Sequence, residues 1–235
     1  MIKKNITRIW RFLKIRIIDA INHNFSKEKK GVLIYIGLFQ GSSFSRLINS
    51  YKVCYGFEAN PKLYKIQKRK YRYYKNIHII HAAVTDYNGM IKFNISDNNG
   101  ISSSIGTFKK EFPTNIKMVN SIEVPAIRLS DFLNEKNIDF IDAYCSDIQG
   151  NDLNVLKTIT SFIDNKKIGS ITCETAKDIY ENIYDLGDNS ESGFKELLSK
   201  NYYLAAKGWE ILEDGKYTDV NEDWSEMDCK WRVKK

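Results

Sequence analysis

Five short stretches place chemically capable residues at the ends of apolar runs. The first, Tyr35-Ile36-Gly37-Leu38-Phe39-Gln40-Gly41, closes a run that begins at Val32. Two glycines four apart let a backbone turn tightly and approach a ligand closely. A helix starting at Ser42 would add free amide donors for a carboxylate. The second stretch, Gly56-Phe57-Glu58-Ala59-Asn60, carries an acid that can accept two hydrogen bonds from a ribose diol. The third, His81-Ala82-Ala83, has small residues that leave room for a flat base. Cys145-Ser146-Asp147-Ile148-Gln149-Gly150 and Cys173-Glu174-Thr175 each deliver a carboxylate able to take a proton from an acceptor. Asp147 is the first candidate base and Glu174 the second; His81 is a further base or a wall of the site. Taken singly, each signal has an ordinary structural explanation, since strand-end acids also cap helices and form turns. Their order along the chain is the specific feature.

These residues need a scaffold that gathers strand ends. Val32–Ile36, Lys52–Phe57 and Ile77–Val84 read as strands, with helices over Ser42–Ser50 and Pro61–Tyr74 between them. Asp86-Tyr87-Asn88-Gly89 is a turn signal, followed by an added strand over Met90–Ile95. Ser96–Asn120, rich in Asn, Ser and Gly, reads as a long loop, of which Asn98–Thr107 could cover a site and offer its serines to an acceptor, or be an ordinary flexible loop. Further strands are expected at Ile122–Ile127, Phe140–Cys145 and Ile168–Cys173. Helices are expected at Leu129–Glu135, Asn151–Ile163 (capped by Asn151 or Asp152) and Phe194–Lys200. Tyr202–Ile211 and Cys229–Val233 would close the sheet as a terminal hairpin. Strands alternating with helices predict an α/β fold, with a mostly parallel central sheet and helices on both faces. Such a sheet binds ligands outside the carboxyl ends of its strands.

Composition fits this picture. The 235 residues are 43% hydrophobic, enough for one globular α/β domain spanning residues 31–235. Residues 1–30 carry nine basic and two acidic side chains, a surplus equal to the net +7 of the whole chain. Basicity therefore belongs to an N-terminal arm and not to the body. Within that arm, Ile6, Ile9, Trp10, Leu13, Ile17 and Ile21 share one face of a helix expected over residues 5–21. Such a basic amphipathic helix either packs its stripe on the domain or lies on an anionic membrane surface. It has neither a secretory h-region nor a transmembrane length of apolar residues. The four cysteines show no C-x-x-C spacing, which predicts a reduced, cytoplasmic protein without a structural metal.

The motifs together resemble the FkbM-type S-adenosylmethionine-dependent methyltransferases over about Val32 to Ile159. The matching stretches include Ile34–Gly41, Gly56–Pro61, Ala82–Asp86 with Asn88-Gly89, and Ser102–Ile105. They continue through Val124–Asp131, Ile138–Phe140 and Asp147–Asp152. The resemblance implies a Rossmann-like class I methyltransferase fold, S-adenosylmethionine as cofactor, and methyl transfer to a hydroxyl of a sugar, glycan or small metabolite. It implies that Gly37 and Gly41 line the methionine part of the cofactor, Glu58 the ribose, and Ala82–Ala83 the adenine. The full set of candidate cofactor residues is Tyr35, Gly37, Gln40, Gly41, Ser42, Glu58, Ala59, Asn60, Ala82, Ala83 and Asp147. This chain has Tyr35, Cys145 and Gln149 where the family pattern usually has Asp, Lys and Glu.

Two other readings stand beside this one. Lys62, Lys65, Lys68, Arg69, Lys70, Arg72 and Lys75, interleaved with Tyr64, Tyr71, Tyr73 and Tyr74, could hold an RNA backbone for 2'-O-methylation. Alternatively, the departures from the family pattern mark a catalytically degenerate domain serving as a cofactor-binding or membrane-associated scaffold.

Overall fold

The computed structural model describes residues 29–208, 210–211 and 225–234. The amphipathic helix expected over 5–21 lies outside them. The described residues open on β1 (Lys30–Ile36), followed by helix α1 (Ser42–Leu47) and a 3-10 turn (Ile48–Ser50). Then come β2 (Tyr51–Glu58), α2 (Pro61–Lys70), β3 (Ile77–His81), β4 (Ala83–Thr85), β5 (Gly89–Ser96) and β6 (Met118–Arg128). The second half runs α3 (Leu129–Glu135), β7 (Ala143–Ser146), α4 (Asp152–Lys157), α5 (Thr160–Asp164) and β8 (Ser170–Ala176). It ends with α6 (Glu191–Leu198), β9 (Tyr202–Lys207), β10 (Glu210–Ile211) and β11 (Glu226–Val233).

The central sheet has the order β10-β9-β11-β8-β7-β1-β2-β3. Pairings from β3 to β8 are parallel, while β11 inserts antiparallel between β8 and β9. This is the expected Rossmann-like sheet, and strand order reverses between β1 and β7, where such sheets bind ligands. Alternation in β1 sends Ile34 and Ile36 into one apolar layer and Leu33 with Tyr35 into the other. The first layer packs α3, α4, α5 and α6 through Leu133, Val155, Ile163 and Phe194. The second packs α1 through Phe44, whose fully buried ring contributes roughly 2–3 kcal/mol. Asn60 starts α2, its Oδ1 accepting from Lys62 N at 3.0 Å, with Pro61 in the first turn.

Several boundaries differ from the sequence expectation. The strand expected over Ile77–Val84 breaks at Ala82, and its end becomes β4 of a separate sheet ordered β4-β6-β5. Isolated apolar runs do not reveal which sheet a strand joins. The helix expected over Asn151–Ile163 is split into α4 and α5. Asn151 occupies the cap position without a capping side-chain bond: its Oδ1 accepts from Asn154 Nδ2 and its Nδ2 donates to Val84 O. Asp152 is likewise no cap: its carboxylate is used by Ser146 Oγ and Ile148 N. Glu174 lies inside β8, which runs on to Ala176 because β11 pairs alongside it. The expected antiparallel pairing forms between β9 and β11, but the strand expected over Tyr202–Ile211 is divided into β9 and β10, which pair antiparallel with each other. All four cysteines are free and buried. No helix among the described residues is long and apolar enough to cross a membrane.

Candidate active site

The turn after β1 is fixed by close backbone approach. Gly37 N and Leu38 N both donate to Phe57 O at 3.1 Å, joining this turn to β2. Gly37 has φ 84°, and a Cβ there would overlap the carbonyl oxygen of Asp147 at the end of β7. Only glycine permits both the conformation and the contact. Phe39 follows at φ 47°, a left-handed conformation that a bulky residue adopts at a cost. It is held by two side chains: Phe39 N donates to Glu58 Oε2 at 2.7 Å, and Gln67 Nε2 donates to Phe39 O at 3.0 Å.

Glu58 is therefore the keystone of this side. Its other oxygen, Oε1, accepts from Asn60 N at 2.8 Å. The side chain is 5% exposed. Burial pushes its carboxyl up to about 7, against the opposing pull of those two amides. An ionised carboxylate offers about four lone-pair sites, so two remain for further donors.

A cleft of about 890 Å³, its open mouth included, spans the strand ends from Glu58 to Glu174. Phe57, Leu63, Ala82, Ala83, Ile101 and Ile105 give it apolar walls, the last two from the loop after β5. At the far end sit Asp147, Gln149, Asn151 and Glu174. Gln149 Nε2 donates to Asp147 Oδ1 at 2.7 Å and to Glu174 Oε2 at 2.6 Å, while its Oε1 accepts from Tyr184 OH at 2.6 Å. Burial, and then the charges of Asp147, Glu226 and Asp152, push the Glu174 carboxyl well above the usual range. Fully buried Asp152 is pushed up to about 8, chiefly by desolvation. The cleft thus joins a hydrogen-bond-accepting end, flat apolar walls and an acidic end.

The methyltransferase FkbM domain matches residues 36–200. The chain belongs to that family. Similar solved structures include the N-methyltransferase NodS from Bradyrhizobium japonicum WM9, at 11% identity and TM-score 0.46 over 96% of this chain and 98% of that one. An rRNA methylase from Streptococcus thermophilus is 8% identical, with TM-score 0.46 over 92% of each chain. TrmK from M. capricolum, in complex with S-adenosyl-homocysteine, is 14% identical, with TM-score 0.42 over 92% of this chain and 67% of that one. No curated protein matches.

Within this FkbM methyltransferase, Gly37, Glu58, Ala59, Asn60, Ala82, Ala83, Asp147 and Glu174 converge on the one cleft. Tyr35, Gln40, Gly41 and Ser42 do not line it. Tyr35 is one residue out of phase with Ile36 and so faces the opposite side of the sheet. There it meets Phe44 edge-on at 5.5 Å and lines a separate hollow with Tyr51, Cys145, Thr172 and Lys230. Gln40 is exposed, buried Gly41 lies against the Gln67 side chain, and Ser42 is exposed at the start of α1. His81 also stays out of the cleft, stacking on Tyr64 at 4.9 Å with its Nε2 3.1 Å from Ala59 O.

Tyr35 and Cys145 are register partners on adjacent strands. The acid and the lysine of the family pattern would fall on those same two positions. In this chain both positions carry neutral residues, and both line the hollow on the face away from the cleft. On α2 and in the turn after it, Tyr64, Tyr71 and Tyr74 pack inward, leaving Tyr73 as the one exposed aromatic of the four. The basic helix accordingly lacks a row of stacking platforms.

Asn151, Ile101, Ile105 and Tyr184 have no site role in the sequence reading, whereas Ser103 lines the cleft from the covering loop expected there, and Phe39 and Gln149 lie in two of the strand-end stretches without being singled out as site residues. Gln149 itself adopts φ 56°, and at Gly150 (φ 93°) a Cβ would lie 2.6 Å from Asn182 Oδ1.

Proposed function

We propose that this FkbM methyltransferase uses S-adenosylmethionine to methylate a hydroxyl of a small-molecule or glycan acceptor, with Asp147 as the base. The carrying observation is that one cleft holds the buried carboxyl of Glu58 at one end and the exposed carboxyl of Asp147 at the other. The residues present fit the cofactor. Glu58 has spare lone pairs for the ribose, Ala82 and Ala83 leave a flat slot for the adenine, and Gly37 admits a ligand against backbone.

When bound, the cofactor supplies an electrophilic methyl group on a sulfonium, and in-line alignment lowers the barrier to its displacement. The chain's own residues do the rest. Glu58 and the β1 turn hold one end, and Ile101 and Ile105 exclude water from above. Asp147, free to meet an acceptor because it is exposed, takes the hydroxyl proton. Glu174, bonded to the same amide, is pushed by burial toward its protonated form.

Calorimetry should show S-adenosylmethionine binding. Asp147→Asn should retain that binding within about threefold while lowering release of S-adenosylhomocysteine with sugar acceptors by roughly 100-fold or more. Undiminished release from the variant would remove Asp147 as the base. Release with RNA, but with no sugar or small hydroxyl compound, would transfer the reading to an RNA 2'-hydroxyl. Binding without release from any acceptor class would leave a cofactor-binding scaffold.

A further inference from the structure

We infer that Gln149 is the positioning residue of this site, its single side-chain amide fixing Asp147 and Glu174 as one acid couple and Tyr184 fixing the amide. A primary amide has two N–H donors on Nε2, and here both are used, by Asp147 Oδ1 at 2.7 Å and Glu174 Oε2 at 2.6 Å. The reverse orientation would aim Oε1 at both carboxyl groups, which is repulsive while either is ionised. The couple therefore dictates the rotamer. With Nε2 so committed, Oε1 accepts the Tyr184 hydroxyl proton at 2.6 Å.

The clamp is held from behind. Tyr184 is fully buried, stacks on Phe108 at 5.0 Å, and takes its backbone position from Asn182, whose Oδ1 accepts from Tyr184 N at 3.0 Å. Asn182 Nδ2 also donates to Gly150 O at 2.7 Å, and Ser104 Oγ donates to Gln149 O at 2.7 Å. Two loops, one after β5 and one after β8, thus hold the backbone of Gln149 and Gly150, both of which have positive φ. A glutamate at this position, as in the family pattern, has the same shape but would offer no N–H to either acid. The chain has exchanged a third carboxylate for a donor to the other two.

The consequence is measurable in the protonation of the couple. Charge-assisted N–H donors favour ionised carboxylates, so removing them raises the couple's proton affinity. The groups facing the couple are Asp152 on α4, Glu226 and Asp228 on β11, and the Tyr184 hydroxyl. Lys230, also on β11, lines the hollow that Asp147 borders. All of these stay in place in the two Gln149 variants.

The functional meaning rests on the proposed methyltransferase reading, but the titration does not. The full chain, carrying 13C-labelled Asp and Glu, is titrated by carboxyl NMR as wild type, Gln149→Leu and Gln149→Glu. The couple's midpoint should rise by about one pH unit or more in Gln149→Leu, tenfold in proton affinity. It should rise further in Gln149→Glu, which keeps the shape of the side chain and so the fold. Tyr184→Phe should move it in the same direction by less. Midpoints of folded Gln149→Glu within about 0.3 unit of wild type would overturn the assignment. If midpoints move but calorimetry detects no S-adenosylmethionine, the positioning role stands and the cofactor reading falls. If the cofactor binds and midpoints do not move, the reverse holds.

Discussion

Glu58→Gln separates the two duties of the most buried acid in the cleft. In the native protein both carboxylate oxygens accept backbone amides, at 2.7 Å from Phe39 and 2.8 Å from Asn60, and the group is 5% exposed. Burial raises it from the ordinary 4.5 to about 7. A carboxyl raised on folding stabilises the fold fully below the unfolded value and loses that contribution as pH climbs through the folded value. Between pH 5 and pH 8 this one group should cost the native protein roughly 2.5 kcal/mol. Glutamine has nearly the same shape and does not titrate. The stability difference between variant and wild type, read from urea unfolding at pH 5, 6, 7 and 8, should therefore shift in favour of the variant by about that amount.

Cofactor binding should respond in the opposite sense. Hydroxyl donors of a ribose favour the ionised carboxylate, so wild-type affinity should climb by up to about tenfold per pH unit below 7 and then level off. The variant should bind about 10- to 100-fold more weakly at pH 8, having lost charged acceptors worth roughly 1.5–3 kcal/mol. Parallel stability curves for the two proteins would refute the desolvated-acid account of Glu58. A wild-type affinity that is flat with pH would remove it from the ribose.

Two further substitutions test the frame around that acid. Gly37→Ala should cost at least about 2 kcal/mol and abolish cofactor binding, because the new methyl group meets the Asp147 carbonyl oxygen and the backbone sits at φ 84°; a stable variant with native affinity would show that the turn can relax. Tyr35→Phe should leave S-adenosylmethionine affinity within about twofold, since its hydroxyl lies on the opposite face of the sheet; a tenfold loss, measured by calorimetry, would return Tyr35 to the site.

The sequence determined the scaffold because scaffold signals are local. Apolar runs at Val32–Ile36 and Ile168–Cys173, a proline and a capping asparagine ahead of α2, and glycine at Gly37 each report on a few adjacent residues. Their order is enough to specify a Rossmann-like sheet and to bring Glu58, Ala82, Ala83, Asp147 and Glu174 to one edge of it. Pleat phase decided what the sequence could not. Tyr35 sits beside Ile36 and Gly37 in the chain yet faces away from the cleft, with its register partner Cys145 on the same side. Long-range closure decided the rest. Tyr184, 35 positions from Gln149, becomes its partner only when the loops after β5 and β8 fold over the strand ends. Whether Gln149 is a lost acid or a working donor depends on the 2.6–2.7 Å spacing to two carboxylates from different strands. That distance exists only in the folded chain, because short-range pattern carries no information about which side chains meet across a sheet edge.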